Sequence, residues 1–206
     1  MAKKKGRRPR PQARPVVVQP TSRGWIWWAA IGGVVLLGLV VIVVSRNNSG
    51  SSAPPDGVRT FAVSERSHTD QPVNYPQRPP VGGNHSGVWA NCGIYDQPIK
   101  DENAVHALEH GAVWVAYKTS LAAADVTKLR NLVKAHYSGD QKYVILSPYP
   151  DLTVTAVSVQ SWAHQLQIDD VNDPRIAQFI DYFKARSGDT PEPGAACTGG
   201  IGKPIG

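Results

Sequence analysis

Methionine occurs only at the first of 206 positions, cysteine only at Cys92 and Cys197, and no acidic residue stands among the first 24. The first scarcity excludes the thioether-rich sites that hold Cu(I), so any metal bound here is left to imidazole, with at most a thiolate added. The second leaves no C-x-x-C spacing for a redox dithiol of the usual kind. The third is a bias of one sign: Lys3, Lys4, Lys5, Arg7, Arg8, Arg10, Arg14 and Arg23 stand unopposed. No internal repeat is present.

Behind the basic stretch comes an uncharged apolar run over residues 25–44. At helical rise it is just long enough to cross a hydrocarbon core of about 30 Å, and it predicts one transmembrane helix held in membrane lipid. The positive charges ahead of it place residues 1–24 in the cytoplasm and everything beyond the run outside. The expectation is a single-pass plasma-membrane protein with an extracytoplasmic C-terminal domain. Trp25, Trp27 and Trp28 lie at the cytoplasmic end, where indoles favour the headgroup layer. A cleaved signal peptide is the rival reading, but the run is long for an h-region and no A-x-A site follows Val44. No cysteine follows closely enough for lipid attachment.

The formal net charge of +6 misleads, because eight of the 22 basic residues precede the apolar run and leave 14 against 16 acidic ones beyond it. The external part is nearly neutral. That argues against nucleic acid as a partner, which asks for a basic patch on the folded domain. The N-terminal charges are explained by topology and by attraction to anionic lipid.

Residues 45–59 are rich in Ser, Asn, Gly and Pro and read as a flexible linker. Residues 60–187 are a normal length for one domain, and residues 188–206 form a Gly/Pro-rich tail. Residues 67–97 are dense in Pro, Gly and Asn and predict a long ordered or semi-ordered loop. Asp101 is placed to cap a short helix ending at His110, with Gly111 as its stop. Residues 112–118 then read as a buried strand, and 120–137 as a helix with Leu129, Leu132, Val133 and His136 at helical spacing. Residues 142–147 and 153–160 read as strands around the turn at Pro148 to Asp151, the second continuing through Trp162 to Ile168. A last helix takes Asp173 as cap and Pro174 as first residue, with Ile176, Phe179, Ile180 and Phe183 down one face. The order predicts an α+β fold: a two-layer sandwich of a small mixed sheet and two or three helices, preceded by the transmembrane helix.

The richest chemistry is His106-Ala-Leu-Glu109-His110. Positions i, i+3 and i+4 share a helix face, so these three side chains point together while Val105, Leu108 and Ala112 make an apolar stripe beside them. Two imidazoles on adjacent turns offer two corners of a coordination shell to zinc or copper. His85, in a Gly-Asn-His-Ser-Gly turn, is the candidate third ligand; His68 is a weaker one because its flanks are more polar. Glu109 serves as ligand, as acceptor for a ligating histidine, or as base toward metal-bound water. The plain alternative is a solvated polar face without function. H-x-x-E-H is also the motif of inverted zincins, but Gly111 and a strand follow at once, and Glu192 is the only later glutamate. His136 and His164 lie on amphipathic elements and read as structural.

Cys92 and Cys197 both fall on the oxidising side of the membrane, which predicts one disulfide pinning the tail against the loop near His85. A thiolate ligand at Cys92 is the alternative. Trp89, Tyr95, Trp114 and Trp162 read as packing residues, with Trp89 and Tyr95 as a docking patch if exposed.

The run from Pro79 to Asp96, P-P-V-G-G-N-H-S-G-V-W-A-N-C-G-I-Y-D, followed by V-H-A-L-E-H-G from Val105 to Gly111, resembles domain-of-unknown-function family 3105 over about residues 61–168. The resemblance implies a bacterial protein, often with one membrane anchor and an external domain, and marks His85, His106, Glu109 and His110 as hallmarks without assigning them an activity. The residues themselves favour an anchored external protein that binds copper or zinc through His85, His106 and His110 with Glu109. A metal-dependent hydrolase using Glu109 as base, and a metal-free interaction module for a membrane-protein partner, are the alternatives.

Overall fold

The computed structural model describes residues 53–205. The apolar run at 25–44, with its predicted span and topology, lies outside them; among the described residues no helix is long and apolar enough to cross a membrane.

Strands β1 (Arg59–Thr60), β2 (Gly93–Ile94), β3 (Val113–Lys118), β4 (Val144–Tyr149), β5 (Val157–Ser161) and β6 (His164–Ile168) form one sheet in the order β1-β6-β5-β3-β4-β2. β3, β4 and β2 run parallel, whereas β3 with β5, β5 with β6 and β6 with β1 are antiparallel. Three helices complete the fold: α1 (Asp101–Glu109), α2 (Ala123–Ala135) and α3 (Arg175–Phe183). The mixed sheet and helices are an α+β arrangement.

The layering differs from the two-layer expectation. Alternation along β3 sends Val113, Val115 and Tyr117 into one core with Leu129 and Val133 of α2 and Ile176, Phe179, Ile180 and Phe183 of α3. Trp114 and Ala116 face the other way, into a core with Ala104, Val105, Ala107 and Leu108 of α1. The sheet is therefore covered on both faces, as parallel strands usually require.

Local chemistry explains the boundaries. At α3 the Asp173 carboxylate accepts the Arg175 N–H at 2.9 Å, and Pro174 occupies the cap position, one residue from the expected register. Asp101 is not the cap of α1: Lys100 is, without a side-chain bond, and the Asp101 carboxylate instead accepts the Tyr149 hydroxyl at 3.1 Å. The predicted long strand to Ile168 is a hairpin, because Trp162 and Ala163 reverse the chain between Ser161 and His164, with Ala163 at φ +64°. External hydrogen bonds hold this turn: Ala163 N–H donates to Val81 O at 2.7 Å and Phe61 N–H to Ala163 O at 2.8 Å.

The last turn of α1 is finished by the C-terminal segment. Thr190 Oγ1 donates to Leu108 O at 3.0 Å and Glu192 N–H to Glu109 O at 3.0 Å, which satisfies carbonyls a helix end leaves open. Gly111, at φ +98°, turns the chain where an added Cβ would lie 2.9 Å from Ala185 Cα. Cys92 and Cys197 are joined, with Cα atoms 5.3 Å apart, and Cys92 N–H donates to Cys197 O at 2.7 Å. Ala90 pairs with Ile201 as well, so residues 190–201 are an integral part of the α1 face.

Candidate metal centre

Helix α1 is buried almost all round, from Glu102 to Glu109. His106, Glu109 and His110 are each 4 % exposed, which removes the reading of a solvated polar face. Buried carboxylate and imidazole cost stability unless each finds a partner, so the partners define what the site can do.

The loop ahead of α1 supplies them. Asn103 Nδ2 donates to Val88 O at 2.6 Å and Ala90 N–H to Asn103 O at 2.8 Å, docking the Gly-Asn-His-Ser-Gly turn along the helix. Gly82 and Gly83 take φ +156° and +121°, and a Cβ on Gly82 would stand 3.0 Å from Val63. This brings His85, fully buried, over the helix.

Each anchored ring is oriented through Nδ1. His85 Nδ1 lies 2.8 Å from Gly83 O and His106 Nδ1 2.7 Å from Ser86 O. A carbonyl only accepts, so both Nδ1 atoms carry hydrogen, and in the neutral rings Nε2 bears the lone pair. Burial pushes the His106 pKa down to about 4, with the Ser86 bond opposing and His110, His85 and His68 adding to the depression. His106 therefore offers a free base at neutral pH.

The His85 lone pair meets a carboxylate. Glu109 Oε2 stands 2.9 Å from His85 Nε2, close enough for an ion pair, yet His85 Nε2 has no aligned hydrogen-bond partner. Two acceptors at that separation repel unless a positive centre, a proton or a cation, lies with them. A zinc–imidazole–carboxylate arrangement satisfies the same atoms, and a second-shell carbonyl on each Nδ1–H is its usual companion.

His68, Nε2-bearing His85 and His106, and Glu109 place one ligand atom each within 4.8 Å of one another. The His68 segment reaches the site through a two-bond bridge: Thr69 N–H donates to His85 O at 2.7 Å and His85 N–H to Ser67 O at 3.1 Å. Its ring stacks on His106 at 4.8 Å and meets His85 edge-on at 5.1 Å. Trp162 and Trp89 wall the site, 6.0 Å from His85 and 5.6 Å from His106.

Of the sequence-predicted residues, His85, His106 and Glu109 come together and His110 does not. His110 is a ring neighbour of His106 at 4.5 Å, but its Nδ1 donates to Ala196 O at 2.6 Å and its Nε2 faces Glu192 at 3.6 Å. Anchoring on two different carbonyls, one before α1 and one after it, turns rings that share a helix face in different directions. His68, ranked below His85 on its polar flanks, takes the fourth place. The bridge that carries it joins two irregular segments and has no periodicity to reveal it. His136 pairs with Asp181 at 2.7 Å, and His164 donates to Trp162 O and packs on Phe183, away from this cluster. Tyr95 is buried with its hydroxyl on Asn91 O and Trp89 is half-buried against His110, so they do not form an exposed aromatic patch. Cys92 is tied to Cys197 and offers no thiolate.

Residues 66–199 match the family described as protein of unknown function, DUF3105. The chain belongs to that family, and the match runs past the motifs to include the C-terminal segment that closes α1. No curated protein and no solved structure matches the chain.

Proposed function

We propose that this DUF3105 member binds one divalent transition metal ion, zinc or copper, through His85, His106, Glu109 and His68, in a domain held outside the plasma membrane by the apolar run at 25–44. The observation that carries the reading is the convergence of four donors within 4.8 Å, two of them on rings whose Nδ1–H is fixed by a backbone carbonyl. Two lone-pair nitrogens and a carboxylate buried together are an unfavourable group on their own and a favourable one around a cation. The donor set is nitrogen and oxygen, with the cysteines joined and no internal methionine, which suits Zn2+ or Cu2+ and not Cu(I).

A general base toward water would need a carboxylate free to face it, and Glu109 faces His85 instead. That favours binding over hydrolysis, and it makes Glu109 a ligand or the group that orients His85. Elemental analysis of the full-length chain, purified in mild detergent without a polyhistidine tag, tests the proposal. One zinc or copper per chain is expected, lost in His106→Ala and His85→Ala; absence of stoichiometric metal in the parent protein would overturn it.

A further inference from the structure

We infer that His68 is the exchangeable ligand of this centre, and that metal enters and leaves on its side. The inference rests on the metal-binding reading and adds a direction of transfer to it. Three of the four donors form a fixed half-shell: His85, His106 and Glu109 are 0 %, 4 % and 4 % exposed. His68 is the exposed member. The rings of His85 and His106 are each held by a carbonyl at 2.7–2.8 Å, whereas among the described residues no hydrogen bond holds the His68 ring, which stacks on His106 and meets His85 edge-on.

The spacing asks for such a ligand. Donor atoms around a tetrahedral zinc ion are separated by about 3.3 Å, as bonds of about 2.0 Å require. His85 Nε2 and Glu109 Oε2, at 2.9 Å, are already that close, while the group as a whole spreads to 4.8 Å. Closing the shell draws donors inward, and of the four side chains the one that is exposed and not held by a hydrogen bond is His68. The backbone under His68 stays pinned to His85 through Ser67 and Thr69, so the ring swings without the loop leaving. Trp162 stands against the His85 ring and Trp89 against the His106 ring, and α1 carries His106 and Glu109. Three fixed protein donors with a fourth, solvent-facing position is how a metal site admits an incoming ligand. In exchange, an oxygen or nitrogen donor of the acceptor takes the position His68 vacates, with no change in oxidation state.

Stopped-flow transfer of Zn2+ from the loaded full-length chain to the chromophoric chelator 4-(2-pyridylazo)resorcinol tests this. In the parent protein the transfer rate is expected to rise in proportion to chelator concentration, because the acceptor attacks the bound metal. His68→Ala, and His68→Asn as a second variant, are expected to weaken affinity about tenfold, still to load one zinc, and to transfer it at least tenfold faster. A rate independent of chelator concentration, a His68→Ala rate equal to the parent's, or loss of stoichiometric zinc in both His68 variants would each overturn the inference while leaving the metal centre standing. Zinc retained in full by His106→Ala would instead sink the centre itself.

Discussion

The two faces of the sheet are built from different chemistry. Under α2 and α3 the core is aliphatic and phenylalanine apart from Tyr117, with Leu129, Val133, Ile176, Phe179 and Ile180 all at 0 % exposure. Under α1 the core mixes Trp114, Tyr75, Tyr149 and Trp162 with buried Glu102, His85, His106, Glu109, His110, Ser147, Ser158 and Gln160. Several buried polar groups there are paired, as where Trp114 Nε1 donates to Ser147 Oγ at 2.9 Å and Val73 N–H to Glu102 Oε1 at 2.9 Å, whereas His85 Nε2 and Gln160 Nε2 have no hydrogen-bond partner among the described residues. The first face carries the stability of an ordinary core, and the second holds a set of oriented donors. A domain whose business was structure alone would have no physical reason to make the second face so much costlier than the first.

The comparison breaks most visibly by removing a large side chain from the apolar face. Phe179→Ala leaves a cavity beside Phe183 in the core under α2 and α3, and is expected to lower stability by about 3–5 kcal/mol in urea unfolding, with metal stoichiometry unchanged where the variant is folded. The next effect belongs to the α1 face. Cys92 and Cys197 close a separation of 105 residues, and the paired change of both to Ala is expected to cost about 2–4 kcal/mol. Unlike Phe179→Ala, it also frees the segment that carries Glu192 and Ala196, so hydrogen exchange should rise selectively at the end of α1.

Metal titration sharpens the contrast further. Zinc at a hundredfold excess over its Kd is expected to raise stability by about 2.7 kcal/mol through mass action. The rise should vanish in His85→Ala and His106→Ala and persist in Phe179→Ala. A zinc-dependent shift in thermal unfolding that is indifferent to both histidines would place the ion elsewhere.

How far the sequence foretells these two faces follows from the kind of signal each uses. The apolar face is written in period: Ile176, Phe179, Ile180 and Phe183 recur at helical spacing, and all four are buried in α3. Strand β3 starts one residue later than the sequence predicts, and its boundary at Val113 follows from the Gly111 turn. The hairpin at Trp162 and Ala163 has neither Gly nor Asn to announce it, because its left-handed residue is held by hydrogen bonds that it donates to Val81 O and accepts from Phe61 N–H, far off in the chain. The site is legible in part for the same reason. Helical spacing brings His106 and Glu109 to one place, but which way an imidazole turns is decided by the carbonyl that takes its Nδ1–H, and Ser86 and Ala196 lie 20 and 86 residues from their rings. His68 depends on a bridge between loops, for which sequence periodicity carries no information. A third layer is not legible because α1 reads as amphipathic, with its polar side suited to water, whereas that side is covered by residues 85–90 and 190–197.

The smallest expected effect tests whether the α1 face holds charge under tension beyond the His68, His85, His106 and Glu109 cluster. Burial raises the Asp101 pKa from 3.8 to about 6; Glu102 and Asp151 add to the rise, while the Tyr149 hydroxyl and Arg78 oppose it. The unfolded chain releases this proton near pH 4 and the folded chain near 6, so between those values the folded state binds more protons. The stability Asp101 contributes is therefore full below about pH 4 and is lost as pH rises through 6. His106 slopes the other way, since its folded pKa of about 4 lies below the ordinary 6.5 and the folded state is favoured as pH rises across that window. The two opposing slopes flatten the parent's profile, and Asp101→Asn separates them: the amide oxygen still accepts from Tyr149, but nothing titrates. The variant is expected to be more stable at pH 7 by about 1 kcal/mol, discounted for partial exposure. It should lose stability on acidification toward pH 4 more steeply than the parent does. Urea midpoints at pH 4.5 and 7 measure the difference, and a variant profile parallel to the parent's would show that Asp101 ionises in the folded protein as it does in water.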